Sequence, residues 1–137
     1  MVEGWHDDEY LILFEGSEVS SASLRYQVSQ YLPGYEVVGL RGWDDLIVRD
    51  TAGHTFALPV VPLDPQHLSP FQRPASSARL RSDPRFVGKV KWYTKPLVFG
   101  GDPNADDNVT WVDHAQHGQL AAWWNKMYRD VQPKGGA

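Results

Sequence analysis

The chain contains no cysteine, and that single absence removes several kinds of protein at once. No disulfide framework can brace it, no cysteine-ligated zinc site can form, and no thiol can serve as a nucleophile. Long apolar runs are lacking too. The longest, such as Leu11 to Phe14, fall far short of the roughly 20 residues needed to cross a bilayer. The stretch Met1 to Asp8 shows neither a basic start nor an apolar segment ahead of a small-residue cleavage site, so the expectation is a cytoplasmic protein with no membrane contact. Internal repeats and low-complexity tracts are also missing.

Motifs of catalysis are equally scarce. Serines cluster at 17–29 and 76–82 without a Gly-x-Ser-x-Gly elbow, which leaves no triad to argue. The one glycine pair that resembles a phosphate loop, Phe99-Gly100-Gly101-Asp102, puts an acid where phosphate would sit and leads toward a strand, not a helix. The expectation is therefore a protein that binds without catalysing, with no cofactor.

What is present suits one globular unit. A chain of 137 residues buries about two thirds of the surface its unfolded form exposes, enough for one core, and the reading is a single domain over 1–137. Six tryptophans are generous for this length. The net charge of -4 hides an asymmetry. Residues 72–95 carry Arg73, Arg79, Arg81, Arg85, Lys89, Lys91 and Lys95 against the single acid Asp83, while the rest of the chain holds six basic and sixteen acidic side chains. Such a split steers charged partners, or merely solvates two ends of a domain.

Periodicity predicts an α+β fold: a mostly antiparallel sheet of five or six strands, an N-terminal helix after the first strand, and a C-terminal amphipathic helix packed on the sheet. Glu9 to Phe14 reads as the first strand. Ser17 to Ser21 offers N-caps for a helix with Leu24, Val28, Tyr31 and Leu32 on one face, stopped by Pro33-Gly34. Tyr35 to Leu40, Leu46 to Asp50 and Thr55 to Leu58, joined by short turns, predict an antiparallel meander. The stretch 59–85, with five prolines before position 80, reads as a long surface loop. Phe86 to Tyr93, Leu97 to Phe99 and Val109 to Val112 read as strands. Asp113 and Gln116 form a capping-box pattern ahead of a helix whose Leu120, Trp123, Trp124, Met127, Tyr128 and Val131 recur at helical spacing.

Four groups of residues could carry chemistry. Asp102, Asn104, Asp106 and Asp113 stand at positions 1, 3, 5 and 12 of a calcium-loop spacing, but Asp107 replaces the turn glycine and Asp113 is the better helix cap. A turn-forming polar loop is the plainer reading. His114 and His117 sit one turn apart, where two imidazoles could share a metal or simply face solvent. Trp123-Trp124-Asn125 either presents an aromatic to a partner or flanks the buried stripe. Trp43-Asp44-Asp45 lies in a predicted hairpin turn, where an exposed ring with two carboxylates would anchor a basic partner, or where the ring is simply tucked in.

Several short stretches carry a likeness. Tyr31-Leu32-Pro33-Gly34-Tyr35, Gly42-Trp43-Asp44-Asp45, the run from Gly53 to Pro59, and Phe99-Gly100-Gly101-Asp102-Pro103 with Asn108 before the Trp-Trp-Asn helix together resemble the SUKH superfamily, over about residues 10 to 130 in element order. Those proteins are small α+β domains, many of them bacterial immunity proteins encoded beside secreted toxins. This chain differs in placing a strand before its first helix and in its long Arg- and Pro-rich loop. The resemblance implies a cytoplasmic protein that covers the active surface of a cognate toxin. Trp43, Asp44, Asp45, Asp102, Asp106 and Asp107 would then meet a basic, nuclease-type effector. The alternative partner is nucleic acid or another acidic molecule, met by Arg73, Arg79, Arg81 and Arg85 with Trp92 and Tyr93 stacking on bases. A metal enzyme built on Asp102, Asp106, His114 and His117 comes third. The oligomeric state leaves no trace in the sequence.

Overall fold

A computed structural model describes residues 2–72 and 80–131. The fold is α+β, as the periodicity predicts. Six strands form one antiparallel sheet in chain order: β1 Val2–His6, β2 Glu9–Leu13, β3 Glu36–Arg41, β4 Asp45–Arg49, β5 Thr55–Pro59 and β6 Ser69–Pro70. A separate two-stranded antiparallel sheet pairs β7 Val90–Tyr93 with β8 Val109–Val112. Three helices complete it: α1 Ser17–Arg25, α2 Val28–Tyr31 and α3 His114–Val131.

The meander β3 to β5 arises from uninterrupted apolar runs, and such runs belong to strands covered on both faces. On one face Tyr10, Ile12, Val37, Leu40, Leu46, Val48 and Leu58 join the main core, which also takes in Ala22, Tyr26 and Leu32 from the helical segment, Ala121 from α3, and Val90 and Trp92 from β7. On the other, Leu11, Val38 and Ile47 are covered by Phe71 and Leu80. Each fully buried Leu or Ile here contributes about 2 kcal/mol. The stretch 59–85, read as a surface loop, therefore does structural work over its described part. It supplies β6, Phe71 and Leu80, and Arg81 makes two backbone hydrogen bonds to Trp5.

Several elements differ from the sequence reading. The first strand is β1, not Glu9 to Phe14. It is joined to β2 through the two residues Asp7 and Asp8, with Asp7 at φ 55 and His6 facing Glu9, so the first helix follows the second strand. The predicted first helix is broken at Gln27, which adopts φ 54. That break shifts the phase of the buried face to Ala22, Tyr26, Val28 and Leu32 and leaves Leu24 79% exposed. Phe86 to Tyr93 is extended only from Val90, after a turn with Gly88 at φ 76. Leu97–Phe99 is a 3-10 turn, not a strand, because Pro96 and Gly100 close it from both sides and the Pro96 carbonyl accepts from the Phe99 N–H.

The cap of α3 follows the sequence pattern. Gln116 N–H donates to Asp113 Oδ1 at 2.7 Å, and Asp113 N–H to Gln116 Oε1 at 3.3 Å. Its buried stripe follows the large apolar residues only in part: Leu120 and Trp124 pack against the main core, but the fully buried positions are others. His117, Gly118, Ala121 and Asn125 face inward, while Trp123 is 54% exposed. Small and polar residues bring the helix close because each finds a specific neighbour. Asn125 accepts from Leu63 N–H at 2.8 Å and donates to the Val60 carbonyl at 2.9 Å, which fastens α3 to the segment after β5.

Candidate functional site

The loop joining β3 to β4 holds two consecutive residues in left-handed backbone, Gly42 at φ 58 and Trp43 at φ 63. Glycine accepts this freely, whereas a bulky residue does so at a cost. The indole is held there by an aromatic cluster. Trp43 stacks on Tyr10 with centroids 4.8 Å apart, and meets Trp5, Phe86 and Trp111 edge-on at 6.2, 5.2 and 5.2 Å. Its Nε1–H is buried without a hydrogen-bond partner.

Beside this loop lies a cleft of about 320 Å³. Trp43, Asp44 and Asp45 form one wall, Val60 to Pro62 and Pro96 to Val98 others, and Lys91, Trp92, Tyr93 and His117 complete it. Its polar edge is a small network. Lys91 Nζ donates to the Tyr93 hydroxyl at 3.0 Å and lies 3.4 Å from Asp44 Oδ2, with the Tyr93 hydroxyl 3.5 Å from the same carboxylate. Burial raises the pKa of Asp44, outweighing the pull of Lys91. Burial works against the Lys91 ammonium too, but the Tyr93 hydrogen bond and the Asp44 charge prevail and leave its pKa raised.

His117 brings a polar group into an otherwise apolar interior. Its Nδ1 lies 2.6 Å from the Tyr26 hydroxyl, and its Nε2 is buried with no partner. Burial first, then the nearby His114 and Arg25, push its pKa down to about 3, so the ring is neutral at physiological pH. Tyr26 is raised above its ordinary value, chiefly by burial, and keeps its proton. The phenol and the imidazole can each donate in this contact, according to which ring nitrogen carries the proton.

The structure gathers Trp43, Asp44 and Asp45 at this cleft and leaves Asp102, Asp106 and Asp107 exposed outside its lining. Asp102 accepts from Asn104 N–H at 2.8 Å, as a turn residue does. Asn108 holds that loop by bonds to Lys95 and to the Asp102 carbonyl. Asp45 is paired with Arg41 at 2.7 Å. His114 and His117 take separate environments. His114 is half-buried with neither nitrogen bonded, its pKa lowered mainly by burial. Among the described residues no group of three His, Asp or Glu is placed to hold a metal.

Of the basic patch, Arg73 and Arg79 lie outside the described residues. Arg81 donates to the Asp7 carbonyl at 3.0 Å, and Arg85 is held by Asp83 at 2.8 Å and lies over the Phe86 ring. Asp83 also accepts from Trp5 Nε1 at 3.1 Å, and Arg85 first, then Trp5, hold its carboxyl well below the usual range. Trp92 is 6% exposed and belongs to the core, so it cannot stack on bases. No helix among the described residues is long and apolar enough to cross a membrane. No family model, curated protein or solved structure matches this chain.

Sequence reasoning missed Lys91, Tyr93 and His117 as cleft residues. Lys91 and Tyr93 alternate with the buried Val90 and Trp92 along β7, and that period of two was the available signal.

Proposed function

We propose that this protein acts by binding and not by catalysis, as a cytoplasmic immunity protein of the SUKH kind that covers the active surface of a cognate toxin. One observation carries the reading. Trp43, Asp44 and Asp45 stand together on the wall of an apolar cleft with a charged edge. A desolvated aromatic recess with a polar rim is the make-up of an interface hot spot. The acid-rich composition outside residues 72–95 favours a basic partner such as a nuclease-type effector, and the likeness over residues 10 to 130 points the same way.

The test is co-expression with a catalytically inactive form of the secreted effector encoded beside this protein. A stoichiometric complex is expected, together with rescue of cells from the active effector, and Trp43→Ala or Asp44→Lys should weaken both by tenfold or more. Failure of the two proteins to co-purify, with no rescue, overturns the proposal. Nucleic acid stays second, because Arg81, Arg85 and Lys91 are already engaged within the chain.

A further inference from the structure

A second groove, of about 730 Å³, is walled on one side by Gln27, Gln30 and Tyr31 of α2 and the break before it, and on the other by Trp123, Lys126 and Arg129 of α3. Two cations line it and no acid does. Arg129 donates to the Leu63 carbonyl at 2.8 Å and lies over the Tyr31 ring, and neither contact removes its charge. Lys126 is exposed, and among the described residues no carboxylate pairs with it. Asp130 lies close enough to Tyr31 to act against Arg129 there, so two positive charges face one negative. The groove keeps a positive balance in a chain whose total is -4.

Its edge is apolar and open to solvent. Trp123 is 54% exposed and meets Trp124 edge-on at 4.8 Å, and the Trp124 ring lies 4.9 Å from Phe99. Leu97 and Val98, just before Phe99, are 45 and 44% exposed and also form a wall of the cleft at Trp43. Three of the large apolar side chains left in water thus belong to one ridge that ends at the basic groove. Scattered apolar residues need no explanation, whereas a contiguous run marks a contact surface.

The sign of the charge selects the occupant. A basic segment would be repelled. Nucleic acid would bring a row of phosphates to two cations, where such binding draws on about 6–10 contacts. We propose that this groove and its ridge form a second docking surface, which takes an acidic segment of a protein: a carboxylate set against Lys126 and Arg129, and a large apolar side chain a few residues away laid on Trp123 and Trp124. The inference does not rest on the immunity reading, whose cleft calls for a basic partner and not an acidic one.

The experiment uses the isolated full chain, ¹⁵N-labelled, titrated at low salt with three peptides: acetyl-Glu-Glu-Leu-Phe-Glu-amide, its counterpart with lysine for every glutamate, and its counterpart with alanine for leucine and phenylalanine. The first should shift the Trp123 Nε1–H resonance and bind about tenfold more tightly than the lysine peptide, against the attraction that the net negative charge of the chain offers to lysine. The alanine peptide should bind severalfold more weakly than the first. Added salt should weaken the complex. Lys126→Glu and Trp123→Ser, both at exposed positions and checked for native circular dichroism, should each lower the affinity for the first peptide about fivefold or more. A Trp123 resonance that does not move, or a lysine peptide that binds as well as the glutamate one, overturns the proposal. Binding of oligothymidylate at Trp123 with the glutamate peptide ignored assigns the surface to nucleic acid and overturns it too.

Discussion

Trp43 shows how much one residue can be asked to do. Its left-handed backbone, φ 63, costs a bulky side chain about 1–3 kcal/mol, and stacking on Tyr10 with an edge-on contact to Trp111 holds it there. Truncation gives an unusual order of stabilities. Trp43→Ala should destabilise the fold by about 3 kcal/mol through lost burial. Trp43→Gly should be about 1 kcal/mol more stable than the alanine variant, because glycine alone accepts this conformation freely. Urea unfolding of the two variants checks this, and an alanine variant that outlasts the glycine one would show that the left-handed turn is not maintained. The hairpin turn and its Trp43-Asp44-Asp45 sequence were legible from composition. His117 was not, because a histidine in a first helical turn looks solvated, and its real partner, Tyr26, is 91 positions away.

At the scale of elements, α3 illustrates what hydrophobic spacing conceals. The sequence pattern set Trp123 and Trp124 beside the buried stripe or toward a partner; Trp124 packs against the core and Trp123 is exposed, while the fully buried positions are His117, Gly118, Ala121 and Asn125. Gly118 lies under the aliphatic stem of Arg25, and a Cβ there would overlap Arg25 Cγ and Cδ. Alanine normally stabilises a helix by about 1 kcal/mol over glycine. Here Gly118→Ala should instead destabilise by about 1–2 kcal/mol, since overpacking costs more than the propensity returns. In an Arg25→Ala background the same substitution should stabilise by about 1 kcal/mol. A double-mutant cycle by chemical denaturation reads the reversal, and additive effects would mean that α1 and α3 do not meet through this pair. The meander β3 to β5 was legible because each strand is an unbroken apolar run between turn residues. Strand β1 was not, since Val2-Glu3-Gly4-Trp5-His6 offers few apolar residues and gains its stability from pairing with β2 and from the Arg81 bridge.

For the molecule as a whole, acid is the informative stress. His117 is held neutral, with a pKa near 3 against an ordinary value of 6.5. The unfolded chain therefore binds a proton that the folded chain refuses. That stability is fully present above pH 6.5 and is lost as pH falls toward 3, amounting to about 2 kcal/mol by pH 5. The lowered pKa of His114 acts in the same direction. Asp44, raised by burial, acts oppositely but only near its ordinary value of 3.8 and above it. Melting temperature should fall between pH 7 and 5 while the ring nitrogens of His117 keep their neutral chemical shifts. A flat profile, or a His117 that titrates near pH 6.5, would place the imidazole in water.

One rim of the six-stranded sheet is bridged at a single residue, and the other ends in a two-residue strand. Along β1, Trp5 exchanges two backbone hydrogen bonds with Arg81, and Gly4, lacking a side chain, lets that segment lie close. On the far side, β6 is only Ser69–Pro70, and Pro70 has no N–H to offer. At Trp5 on one rim and at Pro70 on the other, an incoming strand finds no free N–H with which to pair. Partner contact through the Trp43-Asp44-Asp45 turn, as proposed, would let selectivity change one residue at a time without disturbing the ladder that holds the strands together.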